Sequence, residues 1–149
     1  PWDESLTLHD DGEFFTRILL KARRQTFVPE AKVYYRDVIG SLSRTRNRTA
    51  AESAWRVCVL REKHLLTMLD DSRKRRAIAT QYAQYAYEFS ELAPDLSHLA
   101  LKRIKALQVK PINSVGGPLF RKSVRMFGIS RSLQIRSLVK GNAIQAASG

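Results

Sequence analysis

One cysteine, Cys58, is all that the 149 residues contain. A lone thiol excludes an internal disulfide framework and the four-cysteine structural zinc sites. Long hydrophobic runs are lacking too: no stretch nears the ~18 consecutive apolar residues that a helical membrane span requires. No internal repeat of useful period occurs. The sequence opens at Pro1 without an initiator methionine or a basic-then-apolar leader, so it reads as a piece of a longer protein. Acidic residues thin out along the chain until Asp95, after which there are none.

What is present is a chain apolar enough to fold, with 44% hydrophobic and 9% aromatic residues, beyond the range of wholly disordered polypeptides. Its net charge of +12 is unevenly placed. Residues 1–44 carry seven basic and seven acidic side chains, and residues 45–93 carry nine and six. Residues 94–149 carry ten basic side chains against Asp95 alone. A neutral head joined to an increasingly basic tail implies two roles, the second directed at an anionic surface.

The head reads as loop, helix, strand and strand. Asp10 or Asp11 can cap a helix whose apolar positions Phe14, Phe15, Ile18 and Leu19 recur at helical spacing. Arg23 and Arg24 fall at its expected end, where the dipole favours cations. Thr26 to Val28 and Ala31 to Arg36 are β-like runs separated by Pro29. From residue 49 the pattern becomes helical. Thr49 and Glu52 fit a capping box, and Trp55, Val59, Glu62, Leu66 and Leu69 form a stripe interrupted at Glu62. A second helix starts at Asp70, Asp71 and Ser72, with Ile78, Tyr82, Tyr85, Ala86, Phe89 and Leu92 along one face. Pro94 ends it, and Asp95 caps a third with Leu96, Leu99, Ala100, Ile104 and Leu107 inward. Pro111 to Pro118 is a breaker cluster. Beyond it, Leu119, Phe120, Val124 and Phe127 face one side and Arg121, Lys122 and Arg125 the other, with Gly128 separating a last segment.

The chemistry-bearing stretch is Trp2, Asp3, Glu4 and Leu6, then Asp10, Asp11, Gly12, Glu13, Phe14 and Arg17, then Val28, Pro29 and Glu30, then Tyr35 and Arg36. Adjacent carboxylates at a helix start can hold a general base, because the dipole favours the ionised form and the loop junction keeps it accessible. The same residues can equally be a cap and an ordinary acidic first turn. Arg17 is placed to pair with Glu13 at i,i+4. Cys58 reads as a buried, inert thiol, and the Tyr82, Tyr85, Tyr87 and Phe89 group as helix packing.

In order and spacing these elements resemble the acceptor-side half of family-2 glycosyltransferases. In that family a W-x-E-x-L segment precedes an acidic pair, an E-aromatic-x-x-R run, a V-P-E strand and a strand ending Y-R. The resemblance covers residues 1–44, and it implies that Asp11 is the catalytic base of an inverting transfer, supported by Asp10. Trp2, Glu13 and Arg36 then belong to substrate binding: Trp2 walls the acceptor pocket and Arg36 approaches the leaving diphosphate. Two departures stand out. Gly12 occupies a position where relatives carry a bulky aromatic, and Val38 and Ile39 follow Arg36 where many carry a histidine. No D-x-D metal motif is present, since Asp10 and Asp11 lack the spacer. The divalent metal, Mg or Mn, that such an enzyme uses is therefore expected to be held by the donor-binding half outside this sequence. His9, beside the pair, reads as a solvent-facing side chain rather than a ligand.

The expected fold is α+β and mostly α-helical: the C-terminal fragment of a GT-A α/β glycosyltransferase, with a short β-hairpin-like segment and a helical tail. Residues 1–44 are expected to form the acceptor-side part, 45–110 a helical extension, and 111–149 a basic amphipathic segment. Expected partners are a nucleotide-sugar donor, a glycan or lipid-linked acceptor of the cell envelope, and an anionic membrane surface, with no nucleic acid. The expected location is cytoplasmic, peripheral to the inner face of a membrane. The competing reading is a non-catalytic basic helical module that binds anionic membrane or nucleic acid.

Overall fold

The computed structural model describes residues 1–34, 45–68, 71–112 and 115–147. Five helices follow one another: α1 (Asp10–Lys21), α2 (Arg48–Met68), α3 (Ser72–Phe89), α4 (Pro94–Ala106) and α5 (Pro118–Ala147). Among the described residues there is no strand, so the α+β expectation and its β-hairpin are corrected to an all-helical architecture. The reason is a want of neighbours. Two short β-like runs cannot form a stable sheet unaided, and nothing covers this stretch: Phe27 and Tyr34 are each 88% exposed. Around Pro29 the chain forms a turn in which the Ala31 amide N–H donates to the Val28 carbonyl at 3.1 Å. The second run extends to Arg36, beyond the described residues.

The chain divides into two compact units, Pro1–Leu69 and Asp70–Gly149. In the first, α1 packs on α2. The core consists of Leu6 and Leu8 from the leading loop with Ala50, Ala51, Ala54, Val57 and Cys58 of α2. The buried stripe of α2 is therefore not the Trp55 and Val59 one, and Val59 is exposed. Small residues at Ala50, Ala51 and Ala54 let the leading loop approach closely, and the polar Ser53 and Glu62 are buried with them. The start of α2 is set by Asn47, whose side-chain oxygen accepts the Ala50 amide N–H at 2.8 Å, so Asn47 rather than Thr49 provides the cap. Phe15, Ile18 and Leu19, three of the apolar positions that recur along α1, are exposed.

In the second unit α3 packs on α4. Asp71 caps α3, its carboxylate accepting the amide N–H groups of Arg73 and Lys74 at 2.8 and 2.9 Å. The Lys74 bond is foremost in holding the Asp71 carboxyl below its ordinary value, with the Arg73 bond helping it outweigh the opposing effect of burial. Ile78, Tyr82, Tyr85, Ala86 and Phe89 are buried as the pattern predicts, and the Tyr85 and Phe89 rings lie 5.0 Å apart. Pro94 begins α4 rather than merely ending α3, because proline at a first helical position loses no hydrogen bond. From α4, Ala100, Ile104 and Leu107 complete the core, while Leu99 is exposed.

Two glycines shape α5. At Gly128 the backbone leaves the helix (φ 75°, ψ 166°), a region open essentially to glycine alone. Beyond it the Ser132 hydroxyl bonds the Gly128 carbonyl, and the Ser123 and Ser132 hydroxyls meet at 2.8 Å. In a straight helix nine residues would separate them by about 13 Å, so the chain reverses sharply at Gly128. Arg136 then donates to the Tyr87 carbonyl at 2.6 Å and lies 4.1 Å from the Tyr87 ring centre. Gly116, at φ +75°, sits under that ring: an added Cβ would come within 2.8 Å of Phe120 and 2.9 Å of Tyr87. Gly116→Ala should therefore destabilise the second unit by about 1–3 kcal/mol, read from the midpoint of denaturant unfolding; an unchanged midpoint would show that the Tyr87–Phe120 contact is dispensable.

Candidate functional site

The acidic pair lies where the leading loop enters α1, and α2 fixes that junction. The amide N–H groups of Thr7 and Leu8 donate to the Ser53 hydroxyl oxygen at 2.9 and 3.0 Å, and the hydroxyl donates to the Leu8 carbonyl at 3.2 Å. His9 adopts a left-handed conformation (φ 60°, ψ 21°) that turns the chain into the helix, with no side-chain cap. Its carbonyl accepts the Glu13 amide N–H at 3.3 Å.

Neither aspartate caps α1. Asp10 is its first residue, and one of its carboxylate oxygens accepts the Trp2 indole N–H at 2.8 Å. Trp2 in turn packs on Phe14, ring centres 4.3 Å apart and tilted by 35°. Asp11, next in the helix, is exposed, and its carboxylate accepts the Gly12 amide N–H at 2.6 Å. Gly12 lies beside Arg61 of α2, 3.7 Å from where a Cβ would stand. Arg61 in turn donates to the Thr16 hydroxyl at 2.9 Å. A bulky side chain at position 12 would compete with this guanidinium for the space against α2.

Glu13 is 3% exposed. Arg17 grips it with two bonds of 2.8 and 3.0 Å, the predicted i,i+4 pair, and His64 of α2 contacts it through Nε2 at 2.9 Å. Burial by itself would raise the Glu13 carboxyl, but the bonds from Arg17 and then His64 outweigh it and hold the group below its ordinary range. Arg17 also donates to the Pro1 carbonyl at 2.8 Å. Trp2, Asp3, Glu4, Glu13, Arg17 and His64 line one open cleft of about 480 Å³. The Ser5 hydroxyl and then its amide N–H keep the Asp3 carboxyl below its ordinary value at this rim.

The structure thus brings Trp2 and Glu13 into one cleft and ties Asp10 to it through Trp2. Asp11 stands exposed at the adjoining helix start, outside the cleft lining. Arg36 lies outside the described residues. His64, Ser53 and Arg61 are the partners that sequence reasoning missed. The one available signal was Glu62, which interrupts the apolar stripe along α2. The residues here do not fit a resident divalent cation: one Asp10 oxygen is engaged by Trp2, and among the described residues no three His, Cys, Asp or Glu side chains converge. Among the described residues no helix is long and apolar enough to cross a membrane.

These features define a small helical unit that presents an aromatic wall, a buried carboxylate clamp and an exposed carboxylate at a helix start. Comparison with protein-family models, curated proteins and solved structures found no match.

Proposed function

We propose that this chain supplies the acceptor side of an inverting glycosyl transfer from a nucleotide-sugar. The supporting observation is the 2.8 Å bond from the Trp2 indole to Asp10, which fixes an aromatic face beside the acidic pair and leaves Asp11 open to solvent. An aromatic face ringed by carboxylates, an arginine and a histidine suits a polyhydroxylated ligand: the ring covers the C–H face of a sugar and the polar groups meet its hydroxyls. Asp11 takes the proton of the acceptor hydroxyl as that oxygen attacks the anomeric carbon. The bond from that carbon to the nucleotide diphosphate breaks, and the nucleotide departs from the opposite face without a covalent enzyme intermediate. Asp10 and Glu13 act by position: one holds Trp2, the other ties the first turn of α1 to α2 through His64 while Arg17 braces it from the next turn of α1.

The test is acceptor-dependent release of nucleotide by the full-length enzyme that carries this segment. Trp2→Ala should raise the acceptor KM by about tenfold with donor affinity unchanged. Absence of acceptor-dependent release from the unsubstituted enzyme would overturn the reading. An unaltered acceptor KM in the variant would remove Trp2 from it.

A further inference from the structure

Glu13 fixes the proton on His64. Its carboxyl is held below the ordinary range, so it is ionised near neutral pH, and an ionised carboxylate only accepts. The His64 Nε2 that meets it at 2.9 Å must therefore carry the hydrogen. That leaves Nδ1 of the neutral ring as a bare acceptor. Arg17 is anchored on the same group. Its Nε bonds the same Glu13 oxygen at 2.8 Å, and its Nη2 bonds the other carboxylate oxygen and the Pro1 carbonyl. The two remaining nitrogens, His64 Nδ1 and Arg17 Nη1, carry no hydrogen bond among the described residues. Neither is shut in the core: the buried side-chain polar atoms without a partner among the described residues are Gln81 Nε2 and Ser97 Oγ. Both side chains line the open cleft beside Trp2, whose ring is 43% exposed. The cleft therefore offers one acceptor and one donor, both anchored on one buried oxygen, next to an aromatic face.

We propose that this cleft recognises two adjacent hydroxyls of a pyranose, one donating to His64 Nδ1 and its neighbour accepting from Arg17 Nη1, with the C–H face of the sugar against Trp2. A hydroxyl both donates and accepts, so a vicinal diol satisfies both nitrogens at once. Other chemistries satisfy only one. A phosphodiester or carboxylate has acceptors for Arg17 but no hydrogen for Nδ1, and it meets the Asp3 and Glu4 carboxylates of the same cleft as like charges. An ammonium group has hydrogens for Nδ1 but is repelled by Arg17. The inference gives the acceptor of the proposed transfer a chemical class, a saccharide, and rests on that reading only for its place in the reaction. His64 belongs to α2, beyond the residues that carry the family resemblance. Its ring also makes binding depend on pH. The charged groups that α1 and the leading loop bring to the cleft are Glu13, Arg17, Asp3 and Glu4. Charging the imidazole puts a hydrogen on Nδ1, so the diol loses its acceptor and binding weakens.

Nitrogen-15 spectra of the whole chain, labelled at histidine and tryptophan, test it. Without ligand, His64 should be the Nε2–H tautomer, and the Nδ1–H tautomer would overturn the proposal. The probes are methyl glucoside, methyl mannoside and methyl galactoside, with inorganic phosphate and methylammonium as controls. At least one glycoside should move both the His64 Nδ1 and the Trp2 indole resonances. Its analogue lacking one of the two bound hydroxyls should bind about threefold to tenfold more weakly. No response to any glycoside, or a tighter response to phosphate or methylammonium, would overturn the proposal. His64→Gln keeps an N–H where Nε2 donates to Glu13 but has nothing in place of Nδ1. Its unfolding midpoint should stay while glycoside affinity falls by about threefold to tenfold; unchanged affinity would overturn the proposal. Affinity of the original chain should fall as acid charges the imidazole, and that dependence should vanish in His64→Gln, so parallel pH curves would also overturn it. The tautomer and the deoxy analogue need no variant, and transfer enters none of these readings. A chain that binds a glycoside here but supports no transfer therefore keeps this proposal and loses the function above.

Discussion

Asp11→Asn should lower the proposed acceptor-dependent transfer by about 10²–10⁴-fold, the contribution of a positioned general base, while donor binding stays at its original strength. The substitution is well matched to the question. Asparagine keeps the side-chain oxygen that accepts the Gly12 amide N–H, and position 11 is exposed, so neither the helix start nor the core is disturbed. Only the capacity to take a proton is lost. Asp11→Glu keeps the acid but moves it by one methylene, so partial activity is expected from it. Asp10→Asn provides the contrast. Its amide oxygen can still accept the Trp2 indole N–H, so it should cost far less than Asp11→Asn. The measurement is initial velocity at saturating donor, alongside donor affinity by direct titration. A rate for Asp11→Asn within threefold of the original would remove the catalytic role, and a larger loss from Asp10→Asn would reverse the roles of the two carboxylates.

Glu13→Ala should destabilise the first unit by about 2–3 kcal/mol, because it strips a buried acceptor from Arg17 and His64 together. The value falls below that for a fully enclosed ion pair because Arg17 keeps access to water. The pair also makes stability depend on pH, and the direction follows from the depressed Glu13 carboxyl. A group that is more acidic folded than unfolded contributes its full stabilisation above the unfolded value, near 4.5. That stabilisation is lost as the pH falls through the lower, folded value. The unfolding free energy should therefore fall as solutions are acidified below about 4.5, and Glu13→Gln should flatten that portion of the curve. Both tryptophans, Trp2 and Trp55, belong to the first unit, so their fluorescence reports its unfolding alone. Identical acid slopes in the original and in Glu13→Gln would show that the clamp is not what the acid disrupts.

Legibility in the sequence followed the range of the interaction. The Glu13–Arg17 pair is visible because helical spacing alone brings residues four apart together. The Asp71 cap and the break at Gly128 are visible for the same reason: each depends on the local preferences of one residue and its neighbours. On α2 hydrophobicity does not mark burial: Ser53 and Glu62 are buried and Val59 is exposed. The pattern cannot show that Ser53 is buried to hold the Thr7 and Leu8 amides, 46 and 45 residues away. The β-like runs show the converse. Phe27, Val28, Val33 and Tyr34 carry the residue types of strands, but a strand exists only where another pairs with it, and none does among the described residues.

By itself, then, the sequence determined the helices from residue 48 onward, the charge gradient that leaves the tail basic, and the proximity of Glu13 to Arg17. These need only neighbouring residues and a helical period. Tertiary structure alone decided that the acidic pair would not cap its helix: Asp10 is drawn to the Trp2 indole and the left-handed His9 makes the turn instead. It also decided that His64, 51 residues from Glu13, would complete the clamp. Contacts between residues so far apart depend on how α2 packs against α1, and one-dimensional periodicity carries no record of which faces meet.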